Sequence, residues 1–294
     1  MLTERPSPRF ADIDLWDPAD VLEAMIGGQF AAVAAVRAAL PAIERAGLAM
    51  EPRLRAGGRL IYAGAGTSGR LAVQDGAELM PTFGWPRDRL ILLLAGGRAA
   101  MLEAIEGAED QAGRSSELTL VEGNDVMVAV AASGTTPFTL SCLREAKRRG
   151  ALSIGIANNP DTPLLNEAEH AIFLDTGAEP IAGSTRMNAG TAQRITMSLL
   201  STLVMIRLGH VYRGLMVDVQ ATNTKLTRRK KEILVHLTAM GEAEIEAALV
   251  RANGNVKLAV LLLKGCTLET AQALLQRTGG KLRAAIALAM PPHD

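Results

Sequence analysis

The sequence predicts an α/β protein: a doubly wound, mostly parallel sheet flanked by helices, followed by a small helical domain at the C-terminal end. Three observations carry this prediction. Short apolar runs alternate with helical patterns through the middle of the chain, as in consecutive βαβ units. Two of the strand-to-helix junctions are rich in glycine and hydroxyls, Gly64-Ala65-Gly66-Thr67-Ser68-Gly69-Arg70 and Ala132-Ser133-Gly134-Thr135-Thr136-Pro137. Beyond the basic run Leu226-Thr227-Arg228-Arg229-Lys230-Lys231 the pattern becomes purely helical.

The elements follow in order. Apolar residues at helical spacing from Pro18 to Ala46 (Val21, Met25, Phe30, Val33, Val36, Leu40) predict a helical arm over residues 1–56, with Pro41 restarting a second helix. Leu60–Ala63, Leu90–Leu94, Val126–Ala131, Leu152–Ile156 and Ala171–Leu174 are continuous apolar runs, the pattern of strands buried on both faces. Helices are expected between them at Ser68–Leu79, Ala99–Glu106 and Phe138–Arg149, and a long apolar helix at about Ala189–Leu208. The sheet domain is expected over 57–239. With a boundary near Met240, residues 240–294 read as three short helices broken at Gly254 and Gly265.

Composition narrows the function. Lysine plus arginine number 31, as do aspartate plus glutamate, so no net basic field is present to hold nucleic acid or an anionic membrane. A phosphate would have to be gripped locally. Cys142 and Cys266 form no CxxC pair, and His170, His210, His236 and His293 have no metal-ligand spacing; neither a disulfide framework nor a metal site is indicated. Met1 to Trp16 carries charges and prolines in place of an apolar stretch, and the longest apolar run, Leu199–Leu208, is too short to span a membrane. A soluble protein of the reducing cytoplasm is expected, without membrane or nucleic acid partners.

The first junction has the GxGxxG spacing of a dinucleotide site, but such a site also needs an acidic residue at the end of the second strand to hold the ribose. There the chain reads Ala95-Gly96-Gly97. With hydroxyls at Thr67 and Ser68, a smaller phosphorylated ligand fits better. The second junction has the chemistry of a phosphate cradle: Pro137 occupies the first helical position, Gly134 allows close approach, and Ser133, Thr135 and Thr136 surround a helix N-terminus whose free N–H groups attract anions. Among the carboxylates, Glu78 stands out because its helix must stop beside Phe83, where partial desolvation would raise its pKa towards general acid/base work.

These strings, together with Glu106-Gly107-Ala108-Glu109-Asp110, Gly183-Ser184-Thr185-Arg186-Met187, Gly190-Thr191-Ala192-Gln193, Met216-Val217-Asp218-Val219 and Thr222-Asn223-Thr224-Lys225-Leu226, resemble the N-acetylmuramic acid 6-phosphate etherases of the sugar isomerase (SIS) superfamily. The resemblance covers most of the chain. It implies an SIS domain, a ubiquitin-associated-like helical tail, a homodimer, no cofactor, and a phosphorylated amino sugar substrate met in peptidoglycan recycling. Position by position, it puts the catalytic acid on Glu78 and a second functional carboxylate on Glu109, with Ser184 and Arg186 joining Thr67, Ser68, Ser133, Gly134, Thr135 and Thr136 in substrate binding. Two departures stand out: Leu79-Met80 replaces the family's Cys-Pro, and Asn188 replaces a lysine.

The implied reaction is expulsion of D-lactate by elimination followed by water addition. Two other readings share the motifs. One is a non-enzymatic phosphosugar sensor similar to the glucokinase regulatory protein, which carries two SIS domains where this chain has room for one. The other is an aldose–ketose phosphosugar isomerase, which expels no ether.

Overall fold

The computed structural model describes residues 1–111, 118, 120–220 and 224–290. The motif residues Thr222 and Asn223, and His293, lie outside the described residues. The chain forms two compact units, one of Met1–Ala77 with Asp88–Thr202 and one of Glu78–Arg87 with Leu203–Asp294.

The first unit is built on five parallel strands: β1 (Leu60–Gly64), β2 (Leu90–Leu94), β3 (Val126–Val130), β4 (Leu152–Ala157) and β5 (His170–Phe173), in the order β2-β1-β3-β4-β5. Every residue of β1, β3 and β4 is buried, which is why these strands read as unbroken apolar runs. Beneath them Asp125, 2% exposed, accepts from the Arg59 backbone N–H (2.8 Å) and the Glu122 N–H (2.9 Å) and pairs with the Arg59 guanidinium (2.6 Å). This clamp joins the residues that precede β1 and β3, at the end of the sheet opposite the glycine-rich junctions.

The N-terminal helices differ from expectation. A single helix, α1 (Pro18–Arg55), runs through both Pro41 and Pro52. Proline inside a helix costs about 3 kcal/mol, and here packing against β4 and β5 offsets it. Its buried stripe is made of small residues, among them Gly28, Ala32, Ala35, Ala39 and Ala46 with Val36 and Ile43, whereas Phe30, Val33 and Leu40 are exposed. By length and composition α1 is the one helix among the described residues long and apolar enough to cross a membrane; a third of its most apolar 18-residue window is buried.

After β1 comes α2 (Gly66–Phe83), two residues longer at its start than expected, with Pro81 in its last turn. Gly64 and Gly69 serve this junction: a Cβ on Gly64 would lie 2.8 Å from the Gly69 Cα, and one on Gly69 2.5 Å from the Gly64 carbonyl oxygen. They let strand and helix pack closely. Behind the junction, the buried Asp75 carboxylate accepts from the Tyr62 hydroxyl at 2.6 Å and from the Ser201 hydroxyl at 3.3 Å.

The helix expected at Ala99–Glu106 is only a 3-10 turn, Gly97–Met101; Gly96 and Gly97 both take positive φ, which starts the segment as a turn. The helices α3 (Pro137–Arg148), α4 (Pro163–Glu167) and α5 (Asn188–Leu208) complete this part of the chain.

In the second unit, β6 (Val211–Tyr212) and β7 (Leu215–Met216) form a two-residue hairpin whose turn residues Arg213 and Gly214 both have positive φ. Helix α6 (Thr224–Thr238) packs with the tail, and its Ile233, Leu234 and Leu237 share that core. Among its described residues the tail has four helices where three were expected: α7 (Glu242–Arg251), α8 (Val256–Leu263), α9 (Leu268–Arg277) and α10 (Leu282–Ala289). The additional break falls at Gly279-Gly280, both at positive φ.

Candidate active site

A cavity of about 400 Å³ opens in the first unit at the carboxyl ends of β1 and β3, where ligands bind in open α/β sheets. Its floor comes from the two predicted junctions. Gly66, Thr67 and Ser68 open α2, and Ser133, Thr135, Thr136 and Pro137 open α3. Two helix N-termini therefore face one space with their dipoles, although at α3 Pro137 has no N–H and the Phe138 N–H donates to the Glu109 carbonyl at 3.0 Å. At α3, Thr136 makes no side-chain cap bond, and the Ser133 Oγ accepts from the Thr135 N–H at 3.2 Å and lies 3.3 Å from the Thr136 Oγ1. Ser133, Thr135 and Thr136 all line the cavity, and their hydroxyls are of a kind that can donate to a ligand.

Gly134 has a different role from the expected approach to ligand. It is buried, does not line the cavity, holds φ at +68°, and has Thr162 packed where its Cβ would be. Only glycine fits this turn, so its contribution is to shape the Ser133–Thr136 loop.

The Gly183–Met187 loop enters through residues other than those expected. Gly183 and Thr185 line the cavity, while the half-buried Ser184 and the exposed Arg186 do not. The loop is held by backbone bonds from Gly190 N–H to the Thr185 carbonyl (2.8 Å) and from Gly183 N–H to the Thr3 carbonyl (2.9 Å). Asn188, where the resembled family has lysine, is 2% exposed, and its Oδ1 accepts from the Gln29 side chain of α1 at 3.2 Å. That position belongs to the packing of α5 on α1.

Sequence reasoning missed Glu179. It is fully buried, and its two carboxylate oxygens accept the Asn188 and Ala189 backbone N–H groups, at 2.8 and 2.9 Å, at the start of α5. Burial pushes its pKa up, against the pull of these two bonds. The signal was negative: Met187 precedes α5 where a Ser, Thr, Asp or Asn would cap it, so its orphan N–H groups needed an acceptor from elsewhere.

Of the two expected catalytic carboxylates, Glu109 lines the cavity, with its neighbour Asp110. Glu78 belongs to the second unit and is not among the lining residues. It is exposed on α2, whereas Leu79, Phe83 and Trp85 are buried, so the desolvation expected beside Phe83 is absent. Met1 and Glu4 complete the wall and were not foreseen. Among the described residues no lysine or arginine lines the cavity; those that do line it offer an anion N–H groups, hydroxyls and helix dipoles. Among the described residues, no three His, Cys, Asp or Glu side chains converge as a metal site would require.

The glucokinase regulatory protein N-terminal SIS domain model matches residues 43–147, and the SIS domain model matches residues 102–208. A solved phosphoheptose isomerase from Francisella tularensis is 20% identical, with a TM-score of 0.49 over 65% of this chain and 100% of that one. Similarity is far greater to two curated proteins. An N-acetylmuramic acid 6-phosphate etherase of Deinococcus radiodurans is 46% identical over 285 residues, 96% of this chain and 93% of its own. One of Streptomyces avermitilis is 43% identical over 294 residues, 98% of this chain and 94% of its own. With that degree of identity sustained from end to end, the chain belongs to the N-acetylmuramic acid 6-phosphate etherase family.

Proposed function

We infer that this protein is a carbon–oxygen lyase that cleaves the D-lactyl ether of N-acetylmuramic acid 6-phosphate, giving N-acetylglucosamine 6-phosphate and D-lactate. The observation that carries the reading is the 46% identity to a protein of that name over 96% of the chain. The cavity supports it: two helix N-termini suit a phosphate, and carboxylates stand on the same walls.

In this reading the sugar ring opens to an aldehyde at carbon 1, which makes the carbon 2 proton removable. Glu109, in the cavity, takes that proton; the carbon 3–oxygen bond breaks with its electron pair going to the lactyl oxygen, and a double bond forms between carbons 2 and 3. Glu78, by resemblance, gives the departing oxygen its proton. Water then adds, its oxygen to carbon 3 and a proton to carbon 2. Thr67, Ser68, Ser133, Thr135 and Thr136 hold the phosphosugar, with Thr185 in the place first expected of Ser184 and Arg186.

Leu22, Ile26, Phe30 and Val33 form an exposed apolar stripe on α1, and a homodimer would cover part of it. A cytoplasmic location fits this substrate.

The test is D-lactate release from N-acetylmuramic acid 6-phosphate by the purified protein beside Glu78→Ala and Glu109→Ala. A positioned acid or base contributes about 10²- to 10⁴-fold, so both variants should lose at least ~100-fold in kcat while still binding N-acetylglucosamine 6-phosphate. Lactate release unchanged by either substitution would remove that residue from the mechanism. No release by the unsubstituted protein, with phosphosugar still bound, would overturn the lyase reading in favour of a phosphosugar sensor.

A further inference from the structure

The segment Met1–Glu4 is built into the cavity wall. Asn159, 2% exposed, grips it: its Oδ1 accepts the Leu2 N–H at 2.6 Å and the Thr3 N–H at 3.4 Å, and its Nδ2 donates to the Thr3 Oγ1 at 2.9 Å. The same Nδ2 donates to the Ala132 carbonyl at 2.9 Å, one residue before the Ser133–Thr136 loop. The Thr3 side chain is fully buried, and its carbonyl receives the Gly183 N–H. One buried amide thus fastens the segment to the phosphate loop, and the segment in turn fastens the Gly183–Met187 loop.

Fixed this way, Glu4 enters the cavity over Gly183, where a Cβ would come within 2.9 Å of its Oε2. Its carboxylate accepts no hydrogen bond and makes no ion pair with any described residue. Glu4 is exposed, so its carboxylate is solvated at the cavity mouth, and the anchored backbone holds it where a ligand entering the cavity would meet it. The cavity's polarity says which part of the ligand. A dianionic phosphate belongs at the helix N-termini and is repelled by carboxylates. Glu4, on the wall it forms with Gly183, suits the uncharged, donor-rich part of the molecule, because a carboxylate is an acceptor for hydroxyl and amide N–H groups.

We propose that Glu4 is a substrate-positioning residue that accepts hydrogen bonds from the sugar hydroxyl groups of a bound phosphosugar. The proposal rests on the phosphosugar reading of the cavity. It makes the Met1–Glu4 segment a specificity element: the helix N-termini select for phosphate, and Glu4 selects for the hydroxylated carbon chain attached to it.

The experiment titrates N-acetylglucosamine 6-phosphate and inorganic phosphate into the full chain by calorimetry, for the unsubstituted protein, Glu4→Ala and Glu4→Gln, beside kcat and KM for lactate release. A hydrogen bond to a charged group lost on Glu4→Ala weakens the sugar phosphate and raises KM by about 10- to 100-fold. Inorganic phosphate should bind all three proteins within about twofold, and Glu4→Gln, which keeps one acceptor oxygen, should fall between the other two. Sugar phosphate binding within twofold of the unsubstituted protein in Glu4→Ala overturns the proposal. So does parallel loss of inorganic phosphate, because Glu4 would then only hold the wall together. Should the unsubstituted protein release no lactate, the etherase reading fails, and the two titrations still decide the role of Glu4.

Discussion

Replacing Glu179 with glutamine tests how the loop ahead of α5 is held. The carboxylate gives one oxygen to each of two backbone N–H groups, Asn188 at 2.8 Å and Ala189 at 2.9 Å. Glutamine keeps one oxygen and sets an NH₂ group against the other N–H, donor facing donor. One charge-assisted bond is lost, about 1.5–3 kcal/mol, and relief from burying a charge returns part of it. A net loss of about 2 kcal/mol corresponds to a Tm lower by ~4–8 °C in a unit of this size. Burial raises the Glu179 pKa above the ordinary glutamate value, so the folded state binds this proton more tightly than the unfolded state does. The contribution of Glu179 is then full below the ordinary glutamate pKa and declines as pH rises through the folded-state pKa. Thermal unfolding followed by circular dichroism at pH 4 and pH 7 should show a larger gap between the two proteins at pH 4. Equal stability at both values would refute the capping role. A gap that widens as pH rises would refute burial as the dominant influence on this carboxylate.

Asp125→Ala removes one side of the buried clamp with Arg59 and should cost about 3–5 kcal/mol by urea denaturation, with KM unchanged because the clamp lies at the far end of the sheet. The Arg59 guanidinium and the N–H groups of Arg59 and Glu122 overcome burial and hold the Asp125 pKa below the usual range; its stabilisation is present above the ordinary aspartate pKa and lost as pH falls through the lower folded value. Burial pushes the Cys142 thiol up to about 12, with a small opposing bond from Ser141, so a thiol reagent at pH 8 should label only the half-buried Cys266 in the native protein and both cysteines after denaturation. Gly134→Ala, strained at φ +68° and pressed against Thr162, should lower stability by at least ~1 kcal/mol and weaken inorganic phosphate binding, measured by calorimetry.

What was legible in the sequence is what neighbouring residues decide. β1, β3 and β4 stood out because both faces are buried, the partly covered edge strands β2 and β5 still read as short apolar runs, and α3 was bounded by Pro137, which can begin a helix at no cost in hydrogen bonds. The phosphate cradle was legible for the same reason, its hydroxyls and glycine lying within six consecutive residues. Local rules misled where packing overrode them. Pro41 should have divided α1, yet the alanine-rich face seated on β4 and β5 carries the helix through; the larger apolar residues, which periodicity pointed inward, stay outside. Gly96-Gly97 should have been read as a turn, and the βαβ alternation placed a helix after it instead.

The residues whose roles sequence reasoning missed share one property: their partners lie outside the few neighbouring positions in which a motif can be read. Asn159 holds Leu2 and Thr3 from more than 150 positions on, Asn188 meets Gln29 across a similar gap, and Glu179 caps a helix that begins nine residues later. None leaves a periodic or spaced motif. What they have in common physically is an obligation: each buried N–H or carbonyl at a loop or helix end must find a partner. The start of α5 lacked a local cap, and Glu179 satisfied it; the Gly183 N–H lacked a local acceptor, and the Thr3 carbonyl satisfied it. Satisfying that second obligation is what brings Glu4 into the cavity. The wall of the site therefore follows from the hydrogen-bonding needs of the loop it faces, and a carboxylate reached the cavity without any local pattern to announce it.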